Sequence, residues 1–157
     1  SLFARAGVTC LIKPHPMSIH HGKQPKDREH VRFVDQSALR ARGVMLYEIL
    51  AASTALITDV SSVFVDYLLL DRPLIFAAHD FDEFVETRGT TLTRLGRPLE
   101  DLLPGPVART WAELLAAITS LLEGHDADAQ PRRELQKLLI EQTPESSMAV
   151  LRATRLV

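Results

Sequence analysis

The sequence predicts an α/β fold with a parallel sheet flanked by helices, and three observations carry that expectation. Ala55-Leu56-Ile57-Thr58 is a short apolar run ending in a hydroxyl and then Asp59, as a buried parallel strand does at its carboxyl end. From Val63 the period becomes helical, through Phe64, Tyr67, Leu68 and Leu70, until Pro73 stops it. Leu74-Ile75-Phe76-Ala77 then begins a second apolar strand. A strand, a helix and a strand within about 20 residues make a compact parallel crossover unit.

The other elements follow in chain order. The opening SLFARAG reads as the tail of a helix, and with no initiating Met the chain is expected to be a fragment. Val8 to Ile12 is a strand rich in β-formers, closed by Lys13-Pro14-His15-Pro16. Two prolines stiffen that turn, which can aim Lys13 as a point charge and His15 as a hydrogen-bonding or acid/base group at a ligand. The alternative is a loop histidine with no role. Residues 17 to 30 are polar, contain His20, His21 and His30, and read as a surface loop able to close over a ligand. No cysteine or acid stands beside these histidines at the spacing of known zinc sites, so neither metal nor cofactor is assigned.

Val31 to Val34 reads as a short strand, and Val44 to Ala52 as an amphipathic helix with Leu46, Ile49 and Leu50 turned inward for core packing. Ala77 to Phe84 reads as an acidic turn past a strand end. In Arg88-Gly89, guanidinium and backbone can both approach an anion, or the arginine is simply solvated. Pro104-Gly105-Pro106 is a rigid turn before a helix from Thr110 to Leu122, which Thr110 and Glu113 open as a capping box and Gly124 ends. Two more helices, about 127–141 and 145–156, carry no chemical motif and make a helical tail over 123–157. No repeat or linker divides residues 1–157, which read as one domain.

Composition sets bounds. The chain has 157 residues, 46% of them apolar, enough for a sizeable core. A net charge of −2 with interspersed signs argues against a dedicated nucleic-acid binder, so no nucleic-acid partner is expected. The single Cys10 excludes a disulfide framework and points to a reducing, cytoplasmic setting. No apolar run approaches the roughly 20 residues that span a bilayer.

Within the crossover unit, the loop after the first strand lies at the carboxyl edge of the sheet, where open α/β folds bind ligands. Thr58, Asp59, Ser61 and Ser62 stand there. Free amides at the start of the next helix favour an anion, and two adjacent hydroxyls can donate to phosphate oxygens. The competing reading is that one serine caps the helix and the other is solvated.

Taken in order, KPHP, YEILAASTALITDVSSVFVDYLLLDRPLIF, HDFDEF, RG and EDLLPGPV resemble the carboxyl-terminal domain of the CDP-glycerol glycerophosphotransferases of teichoic-acid synthesis, over about Val8 to Leu122. The resemblance implies a Rossmann-like sheet that forms the carboxyl-terminal half of a GT-B fold and binds the nucleotide-linked donor. His15 then matches an essential, catalytic histidine. Lys13 precedes it in the same block, and Thr58, Asp59, Ser61 and Ser62 match the donor-binding TDxSS block. Arg88 and Gly89 match the RG pair. Asp66 stands one helical turn after Ser62 and seven residues before Pro73, where many GT-B enzymes place a glutamate on the donor ribose; a carboxylate stabilised by the helix dipole is the competing reading.

The implied reaction moves glycerol phosphate, or a related polyol phosphate, from CDP-glycerol or a similar donor to a teichoic-acid or other cell-wall polymer and releases CMP. The lipid-linked acceptor, a second histidine and the base would belong to an amino-terminal domain outside this chain. The full protein would work in the cytoplasm, peripherally at the inner face of the plasma membrane. The chain departs from the family in having Val60 where TDxSS usually carries Tyr, and Thr54 where an acid is common. A UDP-sugar-dependent GT-B transferase or epimerase half, and an idle nucleotide-binding module, are the alternatives. Two expectations of geometry follow: the strands near residues 8, 55 and 74 lie parallel in one sheet with helices on both faces, and His15 faces one cleft with Ser61 and Ser62.

Overall fold

The computed structural model describes residues 2–14, 26–87 and 97–140, and every strand ladder in it is parallel. A helical turn α1 (Leu2–Arg5) leads to β1 (Cys10–Ile12), followed by β2 (Val31–Phe33), α2 (Gln36–Ala41) and α3 (Leu46–Ala52). The crossover unit comes next, with β3 (Leu56–Thr58), α4 (Val63–Tyr67), a 3₁₀ turn (Leu68–Leu70) and β4 (Leu74–Ala77). The described chain ends with α5 (Phe81–Thr87), a 3₁₀ turn (Glu100–Leu102), β5 (Val107–Ala108), α6 (Trp111–Leu122) and α7 (Ala129–Leu139).

The strands form two ladders. In one, β3, β4 and β5 lie side by side, with Leu56 opposite Leu74, Thr58 opposite Phe76 and Ala77 opposite Ala108. In the other, β1 pairs with β2, Cys10 opposite Val31. The expectation of one sheet therefore holds for the crossover unit and fails for the first strand. A strand packed on both faces between neighbours buries its side chains, whereas Leu11 and Ile12 are 50% and 38% exposed. Their amide partners come from the β2 side instead: Cys10 donates to the His30 carbonyl, and Val34 donates to that of Ile12.

The core sits around α4 and β4. Phe64 and Phe76 meet edge to face at 5.3 Å, with Tyr67, Leu68 and Leu74 buried around them. Leu102 and Leu103 from the EDLLPGPV block, with Leu99 just before it, complete the cluster together with Leu135 of α7. Gly105 allows the tight approach of β5's entry to β4, because a Cβ there would lie 2.3 Å from the Leu74 carbonyl oxygen.

Helix ends follow their sequence signals. Thr110 Oγ1 accepts from the Glu113 amide at 3.2 Å, and Glu113 returns bonds to the amides of Arg109 and Thr110. These donors hold the Glu113 carboxyl below its usual range. Asp35 caps α2, a helix that the sequence reading leaves out, by accepting from Ser37 and Ala38. The acidic segment read as a turn is helix α5, nucleated because Phe81 is buried and Phe84 packs against the core. The expected helix at 145–156 lies outside the described residues.

Helix α7 is fastened by charge. Arg132, buried to 1% exposure, donates to Asp71 Oδ1 at 3.1 Å and to both oxygens of Asp126, while Arg133 reaches Asp71 Oδ2 at 2.7 Å. Asp71 takes a left-handed backbone, φ 47°, which a short polar side chain tolerates, and it turns the chain into Pro73. Gln136 completes the dock by donating to the Leu68 carbonyl at 2.8 Å.

Candidate functional site

Parallel pairing gathers the carboxyl ends of β3, β4 and β5 on one sheet edge. Three loops leave that edge: Asp59 to Ser62, Ala78 to Asp80, and Arg109 to Thr110. Thr58, half-buried, ends β3 and donates to Asp59 Oδ1 at 3.4 Å. Val60 packs against the core and anchors the loop, leaving Asp59, Ser61 and Ser62 exposed.

The two serines start α4 through their backbones: the Phe64 amide donates to the Ser61 carbonyl at 3.2 Å and the Val65 amide to that of Ser62 at 3.0 Å. Ser62 occupies the N-cap position, yet its backbone is helical (φ −56°, ψ −15°) and its hydroxyl makes no cap hydrogen bond. A capping serine adopts extended angles so that its oxygen turns back onto the amides of the first turn. Both hydroxyls are thus uncommitted among the described residues. A five-residue helix sums few peptide dipoles, and the Phe64 and Val65 amides are already paired, so the two hydroxyls are what this loop offers an anion.

The remaining sequence-predicted residues divide. Lys13 is exposed just past β1, in the other ladder. His15, Arg88 and Gly89 lie outside the described residues, and with His15 so does the expected cleft shared with the serines. Asp66 is exposed on α4, one turn beyond Ser62, and accepts a hydrogen bond from the Tyr47 hydroxyl at 3.1 Å. That bond, and then the carboxylate's charge, raises the Tyr47 pKa and keeps the phenol a donor.

Tyr47 escapes the sequence reading, which treats its helix as core packing. It lies between Leu46 and Glu48, off the inward stripe, and is 60% exposed. Helical spacing alone signals that exposure; only the fold supplies Asp66 as its partner. A small hollow of about 80 Å³ lies between the two helices, lined by Tyr47, Leu50, Ala51, Asp66, Tyr67 and Leu70.

Behind this pair, polar contacts fix α3 against α4. Ser53 Oγ lies 2.9 Å from the Tyr67 hydroxyl and donates to the Leu50 carbonyl, while Arg72 donates to the carbonyls of Ala51 and Ser53. At the sheet edge Arg109 sits over the Phe81 ring and pairs with Glu100 at 3.0 Å, with Asp82 at 3.9 Å. Its charge is already matched by acids. A cavity of about 450 Å³ lies between α6 and the sheet, where Pro73 and Leu74 open β4. Val107, Ala108 and Glu113 also line it, whereas Thr58, Asp59, Ser61 and Ser62 do not.

Comparison with known proteins agrees with the order of the motifs. The family model described as CDP-Glycerol:Poly(glycerophosphate) glycerophosphotransferase matches residues 4–153. The chain is 35% identical over 120 residues to the teichoic acid ribitol-phosphate primase of Bacillus spizizenii, covering 76% of this chain and 27% of that protein. It is 37% identical over 71 residues to the teichoic acid glycerol-phosphate transferase of Staphylococcus aureus, covering 45% and 17% respectively. The solved structure of the wall teichoic acid polymerase TagF superposes with a TM-score of 0.69 at 22% identity, over 95% of this chain and 35% of TagF. That likeness carries the α/β architecture of parallel strands flanked by helices. The chain spans about a quarter of the primase. With the family model matched along nearly its whole length, the chain belongs to the CDP-glycerol:poly(glycerophosphate) glycerophosphotransferase family of teichoic acid biosynthesis.

Proposed function

We propose that this chain is the donor-nucleotide-binding domain, the carboxyl-terminal half of a GT-B arrangement, of a transferase that moves glycerol phosphate or a related polyol phosphate from a CDP-linked donor to a teichoic-acid or other cell-wall polymer. The observation that carries the reading is the Asp59 to Ser62 loop: two exposed, uncommitted hydroxyls where β3 hands over to α4, in a chain of this family. Ser61 and Ser62 donate to the donor's phosphate oxygens, with Thr58 and Asp59 shaping the loop. Lys13, Arg88 and Gly89 add charge and backbone contacts to the same phosphates. His15 is the catalytic group of this chain, stabilising charge as it develops, and Asp66 holds the ribose.

In the reaction, an acceptor hydroxyl attacks the β-phosphorus. A new P–O bond forms to the acceptor, the bond to the bridging oxygen breaks, and CMP leaves with the electron pair. Fixed donors aimed at the phosphates lower this barrier because they need no reorganisation as charge develops. The base and the lipid-linked acceptor site belong to the part of the relatives' length that this chain does not span. The complete enzyme acts at the inner face of the plasma membrane through that part; no helix among the described residues is long and apolar enough to cross a membrane. The transferred group is a polyol phosphate of the glycerol or ribitol type, since relatives of both names match.

Calorimetric titration of the complete native protein with CDP-glycerol, CDP-ribitol, CMP and a UDP-sugar tests the assignment. Saturable binding of CMP and of one CDP-polyol is expected. Preference for the UDP-sugar, or binding of none, would overturn it.

A further inference from the structure

We propose that Tyr47 is a positioning residue of the donor site, holding the Asp66 carboxylate in the orientation that receives the ribose hydroxyls; this rests on the reading of Asp66 as the ribose-binding group. The two side chains come from different helices, 19 residues apart in sequence, and their hydrogen bond is the direct polar link between α3 and α4 on the exposed side of the small hollow.

Asp66 has two χ angles and no other hydrogen-bond partner among the described residues, so without Tyr47 its carboxylate would turn freely in water. Tyr47 fixes Oδ2 at 3.1 Å and leaves Oδ1 open. An open acceptor oxygen of defined direction is what a sugar hydroxyl needs, because ordering a loose carboxylate at binding costs rotamer entropy that a preorganised one has already lost.

The position of the phenol is itself fixed. The helix carrying Tyr47 is tied at its carboxyl end by Ser53, Tyr67 and Arg72, so the α3 to α4 spacing does not depend on the Tyr47 to Asp66 bond. Removing the bond thus frees the carboxylate without separating the helices. The tyrosine is more than half exposed, and neither core packing nor burial of its hydroxyl accounts for it.

The test compares CMP with 2′-deoxy-CMP and 3′-deoxy-CMP by calorimetry on the complete native protein, in the wild type, Tyr47→Phe and Asp66→Asn, with a thermal melt of each. The wild type should favour CMP over at least one deoxy form by about tenfold, the cost of leaving a charged acceptor short of one partner. Asp66→Asn should lose that preference. Tyr47→Phe should lose most of it while its melting temperature stays put, a pattern that a merely structural tyrosine would not give. If Asp66→Asn keeps the ribose preference, the reading of Asp66 fails and this inference with it. If Asp66→Asn loses the preference and Tyr47→Phe retains it, only the role of Tyr47 is overturned.

Discussion

Ser62 stands at a helix start without capping it, and that separation of position from role gives the site its sharpest test. Its hydroxyl stabilises nothing in the folded chain, so Ser62→Ala should leave the thermal melt unchanged. In the complete enzyme it should lower kcat/KM by about 2 to 4 kcal/mol, the range for a lost oxyanion donor. A cap would show the reverse: about 1 kcal/mol of stability lost and turnover intact. Arg132 is the opposite kind of residue, buried and matched by Asp71 and Asp126. Arg132→Met should destabilise by about 3 kcal/mol, chiefly by stranding Asp126. The Asp71 carboxyl is held low first by Arg133 and that of Asp126 first by Arg132. A depressed carboxyl stabilises the fold above its unfolded value, about 3.9, and loses that contribution as pH falls through its folded value. Denaturant melts should therefore weaken below about pH 4, and less steeply in Arg132→Met. None of this was legible in the sequence: Arg132 and Asp71 are 61 positions apart, and no period connects them. The serines were legible because their chemistry and their place after a strand are both local.

At the scale of elements, the sequence speaks where periods are long and punctuated. The Thr110 and Glu113 box was read directly and forms as read, so Thr110→Ala should cost about 1 kcal/mol in a melt and leave CMP affinity unchanged. Strand β5 has only two residues, Val107 and Ala108, too few to show alternation, and it enters the sheet because the Phe76 and Ala78 amides find the Pro106 and Ala108 carbonyls. Helix α5 was hidden by its acids, although Phe81 and Phe84, three apart, carried the helical spacing. Gly105 gained its reason only from the fold. Gly105→Ala forces a Cβ onto the Leu74 carbonyl and should destabilise by about 1 to 3 kcal/mol, seen as a lower denaturant midpoint.

For the whole molecule, the crossover unit Ala55 to Ala77 predicted a parallel α/β fold because a buried strand, a helix and a strand so close together have few other solutions. Extending that sheet to the first strand failed, since short strands carry no signal of which neighbour they choose; β1 took β2. The candidate site was legible as a loop and unread as a surface, since the Tyr47 to Asp66 hydrogen bond joins residues of two helices 19 positions apart in sequence. The central claim is that the serine loop binds donor phosphate, and titrating CDP-glycerol and CDP-ribitol into the complete native protein and its Ser61→Ala/Ser62→Ala variant tests it most directly. The account predicts a drop of at least about tenfold in affinity for the bound donor, as lost hydrogen bonds to a charged group require, with an unchanged melt. A variant that binds the donor as tightly as the wild type would contradict it.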